Sequence, residues 1–340
     1  MKRIRYLLRV LHGASIQKLT KIISRIHEQT GKSCVLLFAD ILICAVKYGA
    51  GYNDYLIFAF YEMTPKQRKT YVTRFINKRM ISLLNKPSHE CLFDRKTLFN
   101  DRFAAYLGRE SFNVQHFGAS EFLRFAQGKD AVFAKPDIGQ CGKGIECFYL
   151  SAYDGPTDLY RVIKEGGFGV VEEAIVQHEV LAALYPFSVN TLRIVTLVSN
   201  GTPYPIYTVL KTGNAEEGAF RFVDNLESGG ICAPVNMQTG VVMGIGHTAA
   251  LTNLTHHPYS GIEFIGYQLP FVPEAVRLCL SAAMEVPEIR YVGWDVAITP
   301  EGPVIVEGNC HPGYDFWQLP EHTPNKTGLL PYYKSLLHDL

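Results

Sequence analysis

The chain has 340 residues, with 33 Lys and Arg against 32 Asp and Glu, and 47% of its residues are hydrophobic. A net charge near zero offers no overall basic surface for nucleic acid, and the apolar content is enough for a real core. Eight cysteines without a CxxC pair or metal-ligand spacing read as reduced thiols; with no signal peptide and no run of roughly 20 apolar residues, a cytoplasmic protein is expected.

Residues 1–85 carry no Pro before Pro65 and read as mainly helical. Met1–Leu11 sets Ile4, Leu7, Leu8 and Leu11 at helical spacing among Lys2, Arg3, Arg5 and Arg9. Such a basic amphipathic helix either lies on an anionic membrane surface or packs on its own domain with a solvated basic face. The apolar run Cys34–Val46 is interrupted by Asp40 and is too short to span a bilayer. Gly49, Gly51 and Asn53 mark a loop. Thr64-Pro65-Lys66-Gln67 supplies a cap, a first-turn Pro and a Gln three residues after the cap, so a helix is predicted from there towards Leu84. From about Asn85 short helices and strands alternate. Helices are predicted at Leu98–Gly108, Thr157–Lys164 and Pro273–Met284. Strands are predicted at Ala131–Lys135, Gly144–Leu150, Gly169–Ile175, Leu192–Val198 and Ile206–Lys211, then in a closing hairpin, which makes the class α+β.

The closing stretch YVGWDVAITPEGPVIVEGNCHPG, Tyr291–Gly313, reads as that hairpin. A three-residue loop Pro300-Glu301-Gly302 would pair Thr299 with Pro303 and set Asp295 opposite Glu307, with Asn309 on the same face. Trp294, Val296, Ile298, Val304 and Val306 would take the buried face. Two carboxylates opposed across a ladder repel unless a cation sits between them, and oxygen ligands suit Mg²⁺, with Mn²⁺ as a substitute. The alternative is an edge hairpin with a solvated polar face.

Upstream, AVFAKPDIGQCGKGI has Lys135 at a strand end followed by Gly139, Gly142, Lys143 and Gly144. Such a backbone can approach phosphates, though a flexible hairpin tip would look the same. It is not a Walker A loop, since Asp137 stands at the first Gly and Gly144 replaces Ser or Thr. VVEEAI ends a strand in Glu172-Glu173, either ribose acceptors or plain surface acids. Arg193 lies in the apolar strand NTLRIVT and needs an anionic partner, a side chain or a ligand. Lys211 ends the next strand, and RFVDNLESGG offers Arg221 and Asn225 before a Gly pair. No Ser or Cys stands in a recognisable nucleophile motif.

Taken in order, these motifs resemble the ATP-grasp superfamily. RFVDNLESGG is similar to the R-x-N-x-x-x-GG segment of RimK-type ligases, with two extra residues between Arg and Asn, and the closing hairpin resembles their metal strands. YGAGYNDYLIFAFYEM and the helical start look more like the sugar-transfer-associated ATP-grasp proteins. The resemblance implies an ATP-grasp fold at 89–340, preceded by a helical region at 1–88. The lid subdomain would cover about 105–175 and the metal-binding subdomain about 176–340. Lys135 and Lys143 would bind the phosphates of ATP, with Gly139, Gly142 and Gly144 in a mobile loop. Glu172, Glu173, Ala174 and Ile175 would form the adenine hinge. Asp295, Glu307 and Asn309 would hold one or two Mg²⁺ ions. Arg193, Lys211, Arg221 and Asn225 form the candidate catalytic set. The implied reaction joins a small carboxylate to a small amine through an acyl phosphate, in surface-polysaccharide or peptide-like metabolite synthesis. A phosphotransferase and a nucleotide-binding subunit without turnover are the competing readings. Asn100-Asp101-Arg102 carries Arg where many members have Lys.

Overall fold

A computed structural model describes residues 16–139, 143–214 and 229–337. The chain forms two compact units, Met1–Leu83 with Gly313–Leu340 and Leu84–Pro312, each with its own core. The predicted helix Met1–Leu11 lies outside the described residues.

The first unit is helical. Its longest described elements are Ile16–Thr30, Cys34–Tyr48 and Arg74–Leu84. Gly49 closes the second of these in the left-handed conformation, at φ 67°. Asn53, expected in a loop, is instead inside the short helix Tyr52–Ile57. The capping box at Thr64 forms, with Gln67 N–H donating to Thr64 Oγ1 (3.4 Å), but its helix ends at Arg68. The backbone between Arg68 and Arg74 is satisfied elsewhere. Val72 N–H donates to Gln318 Oε1 (2.9 Å), Gln318 Nε2 donates to Val72 O (3.0 Å), and Thr73 Oγ1 donates to Tyr48 O (2.8 Å). The two Val72 bonds replace helical bonds a continuous helix would make, and the Thr73 side chain pins the segment to the end of the helix Cys34–Tyr48. The Val72 bonds also tie 313–340 into this unit, whereas the expected division carried the second domain to 340.

The second unit holds two antiparallel sheets. The smaller, in order β1-β4-β2-β3, uses Ser111–Asn113 (β1), Ala131–Lys135 (β2), Glu146–Tyr149 (β3) and Val170–Glu173 (β4). Helices Ala119–Ala126 and Pro156–Glu165 cover it through Phe122, Phe125, Leu159 and Ile163. The larger, in order β11-β10-β5-β6-β7-β8-β9, uses Thr191–Ser199 (β5), Thr202–Thr212 (β6), Ile231–Val235 (β7), Gly246–Thr248 (β8), Asn253–Leu254 (β9), Tyr291–Thr299 (β10) and Gly302–Asn309 (β11). Helix Val272–Ala282 packs on it with Leu192, Ile194, Leu210, Trp294, Val296 and Ile298. The predicted helix Leu98–Gly108 is two pieces, Lys96–Arg102 and Ala104–Leu107, broken at Phe103.

The closing hairpin corrects the expected loop. Thr299 pairs with Gly302, which takes φ 137°, so only Pro300 and Glu301 turn the chain. Asp295 still faces Glu307, because a β-bulge lies between Asp295 and Val296 and makes Val306 the extra residue. The bulge also changes the buried face. Ile305 enters the core, while Val304 and Val306 stay partly exposed.

Candidate active site

One row of charged side chains crosses the larger sheet. Glu307 on β11 faces Asp295 on β10, which faces Arg193 on β5. Lys211, on β6, reaches the same carboxylate diagonally. The opposite face of these strands carries the apolar core, so strand alternation, reset on β11 by the bulge at Val306, delivers the polar row to the site. Arg193 grips Asp295 with two bonds, Nε to Oδ1 (2.6 Å) and Nη2 to Oδ2 (2.8 Å), and Lys211 Nζ lies 3.4 Å from Oδ2. A Cβ on Gly293 would come 3.2 Å from Arg193 Nη1 and 3.1 Å from Pro312 Cβ, so the glycine leaves room for the guanidinium.

The electrostatics of the row are uneven. Burial works to raise the Asp295 carboxyl, but Arg193 and Lys211 outweigh it and hold it well below the usual range. Glu307 opens onto the cavity, yet crowding around it and the Asp295 charge push its carboxyl up. Asn309, two residues on, accepts at Oδ1 from His311 N–H (2.7 Å) and lines an adjoining pocket that Glu307 also borders.

A second buried cluster faces this row across the cavity. Glu172, at the end of β4, accepts from Lys135 Nζ (2.6 Å), Arg109 Nε (2.9 Å) and Asn100 Nδ2 (2.9 Å). Burial disfavours its charge, but Lys135 and Arg109 reverse the balance and hold its carboxyl far below normal. Arg109 also donates to Ile305 O (2.8 Å) and Val306 O (3.2 Å). Those are the carbonyls of the bulge that precedes Glu307, so a single guanidinium connects the two carboxylate clusters.

Lys96 completes the polar end. Its ammonium donates to Gly139 O (2.8 Å), and burial followed by Lys135 lowers its pKa against the pull of Glu307. Asp137 fixes the start of its helix. Thr97 N–H and Oγ1–H donate to Asp137 Oδ1 (3.0 and 2.7 Å), and Arg95 Nε donates to Oδ2 (2.7 Å). Gly169 lets this happen, since a Cβ there would sit 2.8 Å from Asp137 N. The cavity measures about 520 Å³. Lys96, Lys135, Lys211, Asp295 and Glu307 line one part, and Phe133, Ile145, Cys147, Ile175, Val176 and Phe187 supply apolar surface.

The profile of the family described as sugar-transfer associated ATP-grasp matches residues 156–336. The chain belongs to that family. Among solved structures it is similar to the D-alanine-D-alanine ligase from Coxiella burnetii, at 12% identity and TM-score 0.41, over 73% of this chain and 58% of that one. It is also similar to the ATP-grasp ligase PsnB in complex with a minimal precursor, at 12% identity and TM-score 0.45, over 78% and 68%. The D-alanine–D-alanine ligase from Bacillus anthracis matches at 12% identity and TM-score 0.40, over 70% and 64%. The chain thus spans less than two thirds of these two D-alanine ligase structures. No curated protein matches it in sequence.

Within this ATP-grasp chain, the cavity gathers Lys135, Glu172, Glu173, Ile175, Lys211, Asp295 and Glu307 from the expected set. Gly139, Arg193 and Asn309 line an adjoining pocket. Lys143 and Gly144 are exposed and line neither pocket, and Ala174 is partly exposed beside Ile175. Gly142, Arg221 and Asn225 lie outside the described residues. Sequence reading missed Lys96 and Arg109, and named Asn100 only within the segment Asn100-Asp101-Arg102. The Arg102 guanidinium of that segment sits 3.3 Å from Glu285 Oε2 and lines neither pocket. The signal for Lys96 was its place at a helix start with Thr97 behind it, but the cap is Asp137, 41 residues further on. Elsewhere, Glu90, Cys310 and His311 come within 4.8 Å of one another. Burial pushes the Cys310 thiol up to about 12, which keeps it protonated.

Proposed function

We propose that this protein is an ATP-dependent ligase that joins a small carboxylate to a small amine and releases ADP and phosphate. The observation that carries the reading is the row Glu307–Asp295–Arg193–Lys211 on one wall of the cavity, with Lys96 and Lys135 among its lining. Cations from three separate elements converge where a triphosphate would lie, and the apolar surface at Phe133, Ile145 and Ile175 suits an adenine ring. Glu173 to Ile175 is the hinge beside that ring.

The donor set fits a hard dication. Asp295, Glu307 and the Asn309 amide offer oxygen ligands, and burial together with the Asp295 charge raises the Glu307 carboxyl against the pull of Arg193 and Lys211. These three would hold Mg²⁺, or Mn²⁺ in its stead, which when bound neutralises phosphate charge. Arg193 acts through Asp295, fixing its direction. Lys96, Lys135 and Lys211 stabilise negative charge on the transferring phosphoryl group. An oxygen of the acid attacks the γ-phosphorus, the bond to the ADP oxygen breaks, and an acyl phosphate forms. The amine nitrogen then attacks the acyl carbon, a C–N bond replaces the C–O bond, phosphate departs and the amine proton is lost. Arg221 and Asn225 remain candidates for holding the acid.

The test is product analysis with ¹⁸O in the acid. Phosphate release that needs both acid and amine, with label in the phosphate and ADP as the nucleotide product, is expected. AMP and pyrophosphate would refute the reading. ADP with a stable phosphorylated product would convert it to a phosphotransferase.

A further inference from the structure

We propose that the helix Cys34–Tyr48 docks this protein on an anionic lipid bilayer, lying in the interface with one face inserted. This helix is apolar on nearly every side. Leu37, Ile41, Cys44, Ala45 and Tyr48 point into the helical core. The other side is left open: Val35 is 76% exposed, Leu36 69%, Ile43 46%, Phe38 41% and Val46 36%. Positions 35, 39, 42 and 46 are three or four apart and form one stripe, widened by Leu36 and Ile43 on one flank and Phe38 on the other, and none of these carries a charge. A helix that is hydrophobic all round is normally covered all round or faces lipid. The one acid inside it, Asp40, is turned to the flank and held there by Arg68 (2.7 Å) and Tyr55 (2.7 Å).

Charge identifies the occupant. Exposed Lys32 and Lys47 bracket the stripe, and exposed Lys18, Lys21 and Arg25 lie on the preceding helix. Residues 1–48 contain nine Lys and Arg against two acids, whereas residues 49–340 contain 24 against 30. Within the described part of that stretch, Lys18, Lys21, Arg25, Lys32 and Lys47 stand against Glu28 and Asp40, so the helix pair that carries the exposed apolar stripe is itself net basic. A protein partner would need only the apolar stripe; an anionic bilayer uses the stripe and the surrounding cations together. No single described helix is long and apolar enough to cross a membrane; Ile16–Thr30 and Cys34–Tyr48 pass that test only together, as a pair bent by 120°, and the exposed Lys18, Lys21 and Arg25 on the first of them favour the surface.

Flotation of the full chain with vesicles of phosphatidylcholine, with or without phosphatidylglycerol, tests this. Binding to the anionic vesicles that weakens in high salt is expected. Leu36→Asp with Ile43→Asp should cut that binding roughly tenfold or more, with the far-ultraviolet spectrum unchanged. Phe38→Trp keeps the stripe apolar and should add blue-shifted emission, quenched by brominated lipid, even if the double variant fails to fold. Failure of the parent chain to float with anionic vesicles would overturn the proposal, as would added emission from Phe38→Trp that brominated lipid leaves unquenched. A dimer in sedimentation velocity that the double variant disperses would overturn it too, and assign the stripe to a second copy. None of these readouts depends on the ligase chemistry.

Discussion

Glu172 and Glu307 line the same cavity and are strand-end glutamates of the same kind, yet their surroundings are opposite. Glu172 is 3% exposed and has three donors, two of them cationic. Glu307 opens to the cavity and has another carboxylate as its cross-strand neighbour. The first is complete within the fold, and its burial is repaid by Lys135 and Arg109. The second is strained in charge and gains from any cation that enters. Glu172, satisfied by its own chain, holds the architecture, while Glu307, left in conflict with its neighbour, is available for a ligand.

The largest effect should follow from removing the charge in conflict. Glu307→Gln is expected to abolish Mg²⁺-dependent ADP formation while the melting temperature stays within a few degrees. Unchanged turnover in that variant would end the distinction drawn between the two glutamates. Glu172→Gln should do the reverse in kind, because it leaves Lys135 and Arg109 buried without their anion. A loss of about 3–5 kcal/mol in urea unfolding is expected. The pH dependence has a definite sign. The folded carboxyl of Glu172 lies below its unfolded value, so its contribution is present above about pH 4.3 and is lost as pH falls through the folded value. The variant should therefore lose stability less steeply in acid than the parent. An equal acid slope in both would place the stabilising anion elsewhere.

Much of the site was readable because it follows short-range rules. Strand alternation put Asp295, Glu307 and Asn309 on one face, and the apolar strand around Arg193 demanded an anion, which is Asp295. The hairpin shows how a right pairing can come from a wrong route. A tighter turn and a bulge offset each other, and bulges leave no composition signal. What could not be read depends on contacts distant in sequence. Glu172 looked like half of an acidic surface pair until Arg109 and Asn100 arrived from outside the strand. The break between Arg68 and Arg74 needs Gln318, nearly 250 residues away.

Lys96 sits between the two glutamates electrostatically, drawn by Glu307 and Glu172 and opposed by Lys135. Lys96→Gln should weaken ATP binding roughly tenfold by calorimetry, the loss of one charge-assisted contact to phosphate. Its unfolding free energy should change much less than that of Glu172→Gln. A variant that binds ATP as well as the parent would remove Lys96 from the polar end of the cavity.

The smallest effect tests how Lys96 is aimed. Asp137 caps the helix Lys96–Arg102 from across the chain, using Oδ1 for Thr97 and Oδ2 for Arg95. Arg95 is 43% exposed, so its ion pair contributes little in water, and the cap is the larger share. Asp137→Asn keeps an acceptor for the Thr97 N–H and should cost well under 1 kcal/mol, whereas Asp137→Ala removes it and should cost about 1 kcal/mol. If the cap aims Lys96, the Ala variant should also raise KM for ATP while kcat at saturation holds near the parent value, and the Asn variant should restore most of that KM. A drop in stability with KM unmoved in both would mean that Asp137 closes the helix without directing the ammonium.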